Sequence, residues 1–315
     1  MSGEDSNRVG TGSRDGSKSG GSGLIPEDVL LRLERSSLWA KGRIRGTMQG
    51  KRRSKQMGSS LDFADYRLYT PGDDIRQLDW NAYGRTGKPF IKLYMDEQEL
   101  QVSLYVDGSA SMSFAASSRG VNKYLYARQL AGCVGYAALC GYDRVGIGMF
   151  SNQLYARLPM MRGKASARRL FNFLAQTEAR GTGDITALCH PSALPRRPGM
   201  CWVFSDFLYE TGVEQALSSL LAAQQEVVVV QVLSPEELNP DLYGDLRLID
   251  VESGGGKEVA ISGKIIQQYK AAIRQYTETL RKYCYERGIA YQLALTDTPL
   301  STMATETFRR SGLLQ

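Results

Sequence analysis

The stretch Leu104-Tyr105-Val106-Asp107-Gly108-Ser109-Ala110-Ser111-Met112 decides the fold. It closes an apolar run, Leu100 to Asp107, of the length of one buried strand, and passes at once into a loop of small polar residues. Lys123 to Tyr142 follows with the length and composition of a helix. Asp143 to Ser151 (DRVGIGMFS) then reads as a strand, and Ser166 to Glu178 as an amphipathic helix with Leu170, Phe173, Leu174 and Thr177 on one face. GTGDITALCHPSAL (Gly181 to Leu194) is expected to open a further helix. Cys201 to Asp206 is a strand, EQALSSLLAAQQ a helix, Val227 to Leu233 a fully buried strand, Ile265 to Arg287 a helix and YQLALTD a last strand. Strands that alternate with helices predict an α/β protein: a parallel sheet with helices on both faces.

In such a sheet the carboxyl ends of the strands, where the strand order reverses, form the crevice for ligands. Asp107, Ser109 and Ser111 present a carboxylate and two hydroxyls at alternate positions of one such loop, donors suited to a hard cation that prefers oxygen. By itself this triplet is also compatible with a polar turn. Thr182 adds a hydroxyl from a second loop, with Thr186 as a competing candidate, and Asp206 adds a carboxylate at the end of a third strand.

Upstream, MSGEDSNRVGTGSRDGSKSGGSG reads as a disordered Gly/Ser-rich tail over residues 1–23, without the apolar core of a signal peptide. Residues 24–99 form a second unit: a short helix starting near Pro26, with Val29, Leu30, Leu33 and Leu38 apolar, then a basic stretch and short strands and turns around Pro71-Gly72 and Gly87. Lys41, Arg43, Arg45, Lys51, Arg52, Arg53 and Lys55 carry seven positive charges, more than the formal +6 of the whole chain, so the rest is close to neutral. In PGDDIRQLDW the spacing of Asp73, Asp74 and Asp79 does not suit a calcium loop; a turn pairing Asp73 and Asp74 with Arg67, Arg76 or Arg85 is expected instead.

The composition, 42% apolar and 23% charged over 315 residues, is that of a globular protein. Five cysteines without a CxxC pair argue against a disulfide framework and a thiolate zinc site, and point to a reducing compartment. The one histidine, His190, precedes Pro191 and reads as a surface or helix-end residue rather than a base. No stretch approaches the about 20 apolar residues of a membrane-spanning helix, so a cytoplasmic protein without a membrane span is expected.

LYVDGSASM, KYLYARQLA, DRVGIGMFS, GTGDITAL and WVFSDF resemble, in order and spacing, the von Willebrand factor A-like domain with its metal-ion-dependent adhesion site. Upstream, YTPGDDIRQLDW and GKPFIKLYMDEQE resemble the stretch that precedes such a domain in the bacterial family catalogued as domain of unknown function 58. The similarity runs from about Arg43 to Thr296. It implies a Rossmann-like von Willebrand factor A-type domain over residues 100–315, preceded by the small strand-rich segment. It further implies a magnesium or manganese ion held by Asp107, Ser109, Ser111, Thr182 and Asp206, directly or through water, and association with MoxR-type AAA-plus ATPases. The usual membrane anchoring of that family is missing here.

The expected function is therefore a divalent-metal-dependent protein-interaction module, an adaptor or co-chaperone and not an enzyme. Its partner is a MoxR-type AAA-plus ATPase, or the client that ATPase serves, engaged through an acidic residue. A metal-dependent phosphohydrolase ranks below it, because the chain offers no DxDxT arrangement, no Walker-type loop and no evident base. A nucleic-acid binder acting through residues 41–55 also ranks below it.

Overall fold

The computed structural model describes residues 23–39, 62–95, 99–113, 121–240, 244–249 and 256–315. The basic segment 41–55 and, apart from Gly23, the tail expected over residues 1–23 lie outside the described residues.

Helix α1 (Glu27–Leu33) begins after Pro26, whose fixed φ suits a helix entry. Strands β1 (Asp62–Leu68) and β2 (Phe90–Met95) pair antiparallel. Between them lies a helix, α2 (Trp80–Thr86), in the stretch expected to hold only short strands and turns. Its punctuation was present in the sequence: Asp79 accepts the Asn81 and Ala82 N–H groups as N-cap, and Gly87 closes the helix in the left-handed region at φ 66°. Asp73 takes both Arg67 guanidinium nitrogens, at 2.8 and 2.9 Å, whereas Asp74 caps a single turn through the Arg76 N–H.

The central sheet is built from β3 (Gln101–Asp107), β4 (Arg144–Phe150), β5 (Leu154–Arg162), β6 (Gly199–Ser205), β7 (Gln225–Leu233) and β10 (Ala290–Leu295). Its order is β10-β7-β6-β3-β4-β5. Five strands run parallel, and β5 runs antiparallel to β4. That strand corrects the wholly parallel expectation. Only residues 151–153 join β4 to β5, which suffices for a hairpin but not for the crossover a parallel neighbour needs. β5 is inconspicuous because it lies at the sheet edge, where Leu158 alone is buried, between exposed Arg157 and Pro159, and a proline is tolerated.

Side chains alternate across the sheet, as the two-residue period of a strand requires. On one face Val102, Leu104, Val106, Met200, Trp202, Phe204, Val228 and Val230 are buried under α4 (Lys123–Cys140) and α5 (Ala167–Gln176). Helix α4 is buried nearly all round, and a Cβ on Gly135 would come within 2.9 Å of Leu170 and 3.1 Å of Leu104. Its glycine is a condition for laying the helix close to the sheet. Leu24, Ile25, Val29 and Leu33 of the α1 region join this same core. On the other face Tyr105, Cys201, Val203, Val227 and Val229 meet α6 (Val213–Ala222) and α8 (Gly263–Glu286). Short α3 (Ala110–Ser113) and α7 (Pro235–Leu238) follow β3 and β7, and β8 (Gly244–Ile249) pairs antiparallel with β9 (Gly256–Ile261). The C-terminal turn carries α9 (Phe308–Arg310).

The helix expected from GTGDITALCHPSAL shrinks to a single 3-10 segment, Ile185–Cys189. Pro191 disfavours helical backbone at the residue before it, and His190 accordingly takes ψ 137°. His190 is exposed and its ring Nδ1 lies 2.7 Å from the Ser192 hydroxyl.

Candidate functional site

The chain runs outward from β3 through β4 to β5, then returns across β3 to build β6, β7 and β10 on its other side. The order therefore reverses between β3 and β6, and that gap opens at their carboxyl ends. Asp107 ends β3; Ser205 ends β6 and Asp206 follows it.

Asp107 is fully buried. Its Oδ1 accepts the Ser109 N–H at 2.9 Å, which folds the chain into the turn that opens α3. Its Oδ2 accepts the Ser205 hydroxyl at 2.7 Å and the Tyr209 hydroxyl. Gly108 is confined: a Cβ there would lie 2.0 Å from the Tyr155 hydroxyl oxygen. The turn leaves the Ser109 and Ser111 hydroxyl oxygens 3.0 Å apart, the first fully buried and the second partly exposed.

Two backbone bonds stitch the next loop to this one. Ala110 donates its N–H to the Gly181 carbonyl at 3.0 Å, and Arg180 donates to the Gly108 carbonyl at 2.6 Å. Gly181 adopts φ 81°, and Thr182 follows it as an exposed residue. The hydroxyl of the competing candidate, Thr186, is committed to Asp184 Oδ1 at 2.6 Å.

Asp206, 3% exposed, accepts the Leu208 N–H on Oδ1 and the Lys123 ammonium on Oδ2 at 2.7 Å. Lys123, itself 1% exposed, also donates to Glu237 Oε1 at 2.5 Å. Lys123 and Glu237, like Ser205 and Tyr209 beside Asp107, are partners that sequence reasoning missed. A signal was available, because Lys123 is the first residue of α4, and a cation at a helix N-terminus opposes the helix dipole.

The charges act on one another. Burial, then the neighbouring Asp206 carboxylate, push the Asp107 carboxyl up to about 6, against the hydrogen bonds from Tyr209, Ser109 and Ser205. The Tyr209 phenol is driven well above its ordinary value by burial and then by Asp107 and Asp206. Burial pulls Lys123 down, yet Asp206 and Glu237 together outweigh it and hold the ammonium above its ordinary value.

Among the described residues no three His, Cys, Asp or Glu side chains come together to hold an ion. The donors at the crevice are instead two carboxylates and hydroxyls, a set suited to magnesium or manganese. An octahedral magnesium ion with oxygens at about 2.1 Å separates adjacent ligand oxygens by about 3.0 Å. The Ser109 and Ser111 hydroxyls share a hydrogen bond of 3.0 Å, a spacing that also matches that edge.

The family described as "Protein of unknown function DUF58" matches residues 65–279, and the chain belongs to it. An uncharacterized protein of Mycobacterium tuberculosis, Rv1480, is 28% identical over 244 residues, which cover 76% of each chain. The Mycobacterium avium protein MAV169 is 31% identical over 133 residues, 40% of this chain and 76% of its own. Among solved structures, the conserved hypothetical protein BatB from Bacteroides thetaiotaomicron aligns with 67% of this chain and 98% of its own, at 15% identity and a TM-score of 0.38. An aerotolerance-related membrane protein from Bacteroides fragilis aligns at 17% identity and a TM-score of 0.39, over 68% of this chain and 98% of its own. Among the described residues of the present chain, no helix is long and apolar enough to cross a membrane.

Proposed function

We propose that this chain is a divalent-metal-dependent protein-interaction module with a von Willebrand factor A-type domain. Asp107, Ser109, Ser111, Thr182 and Asp206 would hold magnesium or manganese at a metal-ion-dependent adhesion site, directly or through water. The observation that carries the reading is one juxtaposition. Two buried carboxylates, Asp107 and Asp206, end the two strands between which the sheet order reverses, and a pair of hydroxyls at ligand spacing adjoins the first.

The bound ion supplies an electrophilic position that an acidic side chain of another protein can fill. The residues of this chain shape that position: Ser205 and Tyr209 fix the Asp107 carboxylate, and the bonds from Ala110 N–H to the Gly181 carbonyl and from Arg180 N–H to the Gly108 carbonyl hold the two loops in register. The reading includes no catalytic turnover. Asp107 already accepts three hydrogen bonds, which lowers its competence as a nucleophile, and His190 is tied to Ser192. The partner in this reading is a MoxR-type AAA-plus ATPase, or its client, in the cytoplasm, with the chain as adaptor or co-chaperone.

Affinity purification from the native host, in magnesium and in EDTA, tests the assignment. The reading predicts an ATPase or client that is retained in magnesium and lost both in EDTA and from Asp107→Ala. Retention unaffected by both treatments would place the partner on another surface. Turnover of generic phosphoesters that survives repurification and is lost in Asp107→Ala would establish the phosphohydrolase instead.

A further inference from the structure

The Lys123 ammonium is the buried charge that the ion reading leaves unused. Its side chain is 2% exposed, and it lies 2.7 Å from Asp206 and 2.5 Å from Glu237. Glu237 is held in place for this contact: its Oε2 accepts the Ser234 N–H at 2.9 Å, while the Ser234 hydroxyl accepts the Glu237 N–H. Three elements thus converge on one cation, namely the start of α4, the end of β6 and the turn after β7.

We propose that Lys123 is a tethered counter-ion that sets the affinity of the divalent site by sharing Asp206 with the ion, with Glu237 as its anchor. The inference rests on the ion reading above. Asp107, Asp206 and Glu237 bring three negative charges and Lys123 one positive, so a divalent ion balances the two that remain. Removing the ammonium leaves the carboxylates uncompensated and strengthens their pull on an ion. Removing the Glu237 charge leaves the ammonium less compensated, so it repels the ion more. The loaded site, without excess negative charge, also faces an incoming carboxylate without repulsion.

The two substitutions therefore move ion affinity in opposite directions, which a purely structural ion pair does not do. Manganese titrated calorimetrically into wild type, Lys123→Met and Glu237→Gln is the test. Both variants should melt below wild type in EDTA, because each breaks a buried pair. Lys123→Met should bind manganese about tenfold more tightly, and Glu237→Gln about tenfold more weakly. Affinities within about twofold of wild type, or shifts in the same direction, would overturn the proposal. If Lys123→Met does not fold, Glu237→Gln decides alone, since its amide oxygen can still accept the Ser234 N–H. Wild-type protein that binds no manganese would overturn the ion reading and this inference with it.

Discussion

The hydroxyl of Ser205 donates to the Asp107 carboxylate at 2.7 Å, joining the ends of adjacent strands at the point where the sheet order reverses. The same oxygen accepts the Phe207 N–H at 3.0 Å, so one side chain fixes both the carboxylate and the turn that carries Asp206. Hydrogen bonds to charged groups contribute about 1.5–3 kcal/mol. Ser205→Ala should lower unfolding free energy by about that amount in EDTA, read from urea denaturation. A loss below about 0.5 kcal/mol would show that the bond is not maintained in solution.

Gly108 has no room for a side chain. The Tyr155 hydroxyl that blocks it donates to the Glu178 carbonyl at 3.0 Å, which resists its displacement. Gly108→Ala should cost about 1–3 kcal/mol through overpacking. Adding Tyr155→Phe should recover part of that loss, so the two changes are expected to be non-additive in thermal melts. Strict additivity would mean that the clash is relieved elsewhere.

Glu34, at the end of α1, accepts the Lys164 ammonium and the Tyr136 hydroxyl, each at 2.7 Å. The Lys164 bond, then the Tyr136 bond, hold its carboxyl below the ordinary 4.5. A depressed folded-state value means that the stabilisation is present above about 4.5 and is lost as pH falls through the lower folded value. Glu34→Gln should therefore melt below wild type at pH 7, with the gap closing under acid. A gap that persists at pH 3 would assign the effect to packing rather than charge.

Cys133, Cys201 and Cys284 are buried, whereas Cys140 and Cys189 are partly exposed. Burial drives the Cys133 and Cys201 thiols far up and pushes Cys284 up to about 12. Since the thiolate is the reactive form, an aromatic disulfide reagent should label at most two thiols in native protein and five in denaturant. Fast labelling of a third would contradict the packing of the sheet, of α4 or of α8.

The parts of the fold with strong periodicity were legible in sequence. β3, α4, β4, α5, β6, β7 and α8 fall where runs such as Val227 to Leu233 and the apolar face of Leu170, Phe173 and Leu174 put them. The elements that escaped have weak patterns: edge strand β5 carries exposed residues on both sides, and α2 is a seven-residue helix announced only by its caps. The β8–β9 hairpin was likewise missed. At the crevice, Asp107, Ser109 and Ser111 are neighbours in sequence and could be read together. Lys123 and Glu237 lie 114 positions apart and meet only because α4 starts beside the carboxyl ends of β6 and β7. Tyr209 meets Asp107 for the same kind of reason, across 102 positions.

The most direct test of the ion site is thermal melting of wild type and Asp107→Ala in EDTA and in millimolar magnesium. An ion that binds only the folded state stabilises it by RT ln(1 + [L]/Kd), about 2.7 kcal/mol at a hundredfold excess over Kd. Wild-type protein should melt higher in magnesium than in EDTA, Ser109→Ala should keep part of that rise, and Asp107→Ala should lose it. Equal wild-type melting temperatures in magnesium and in EDTA would contradict a divalent ion at Asp107.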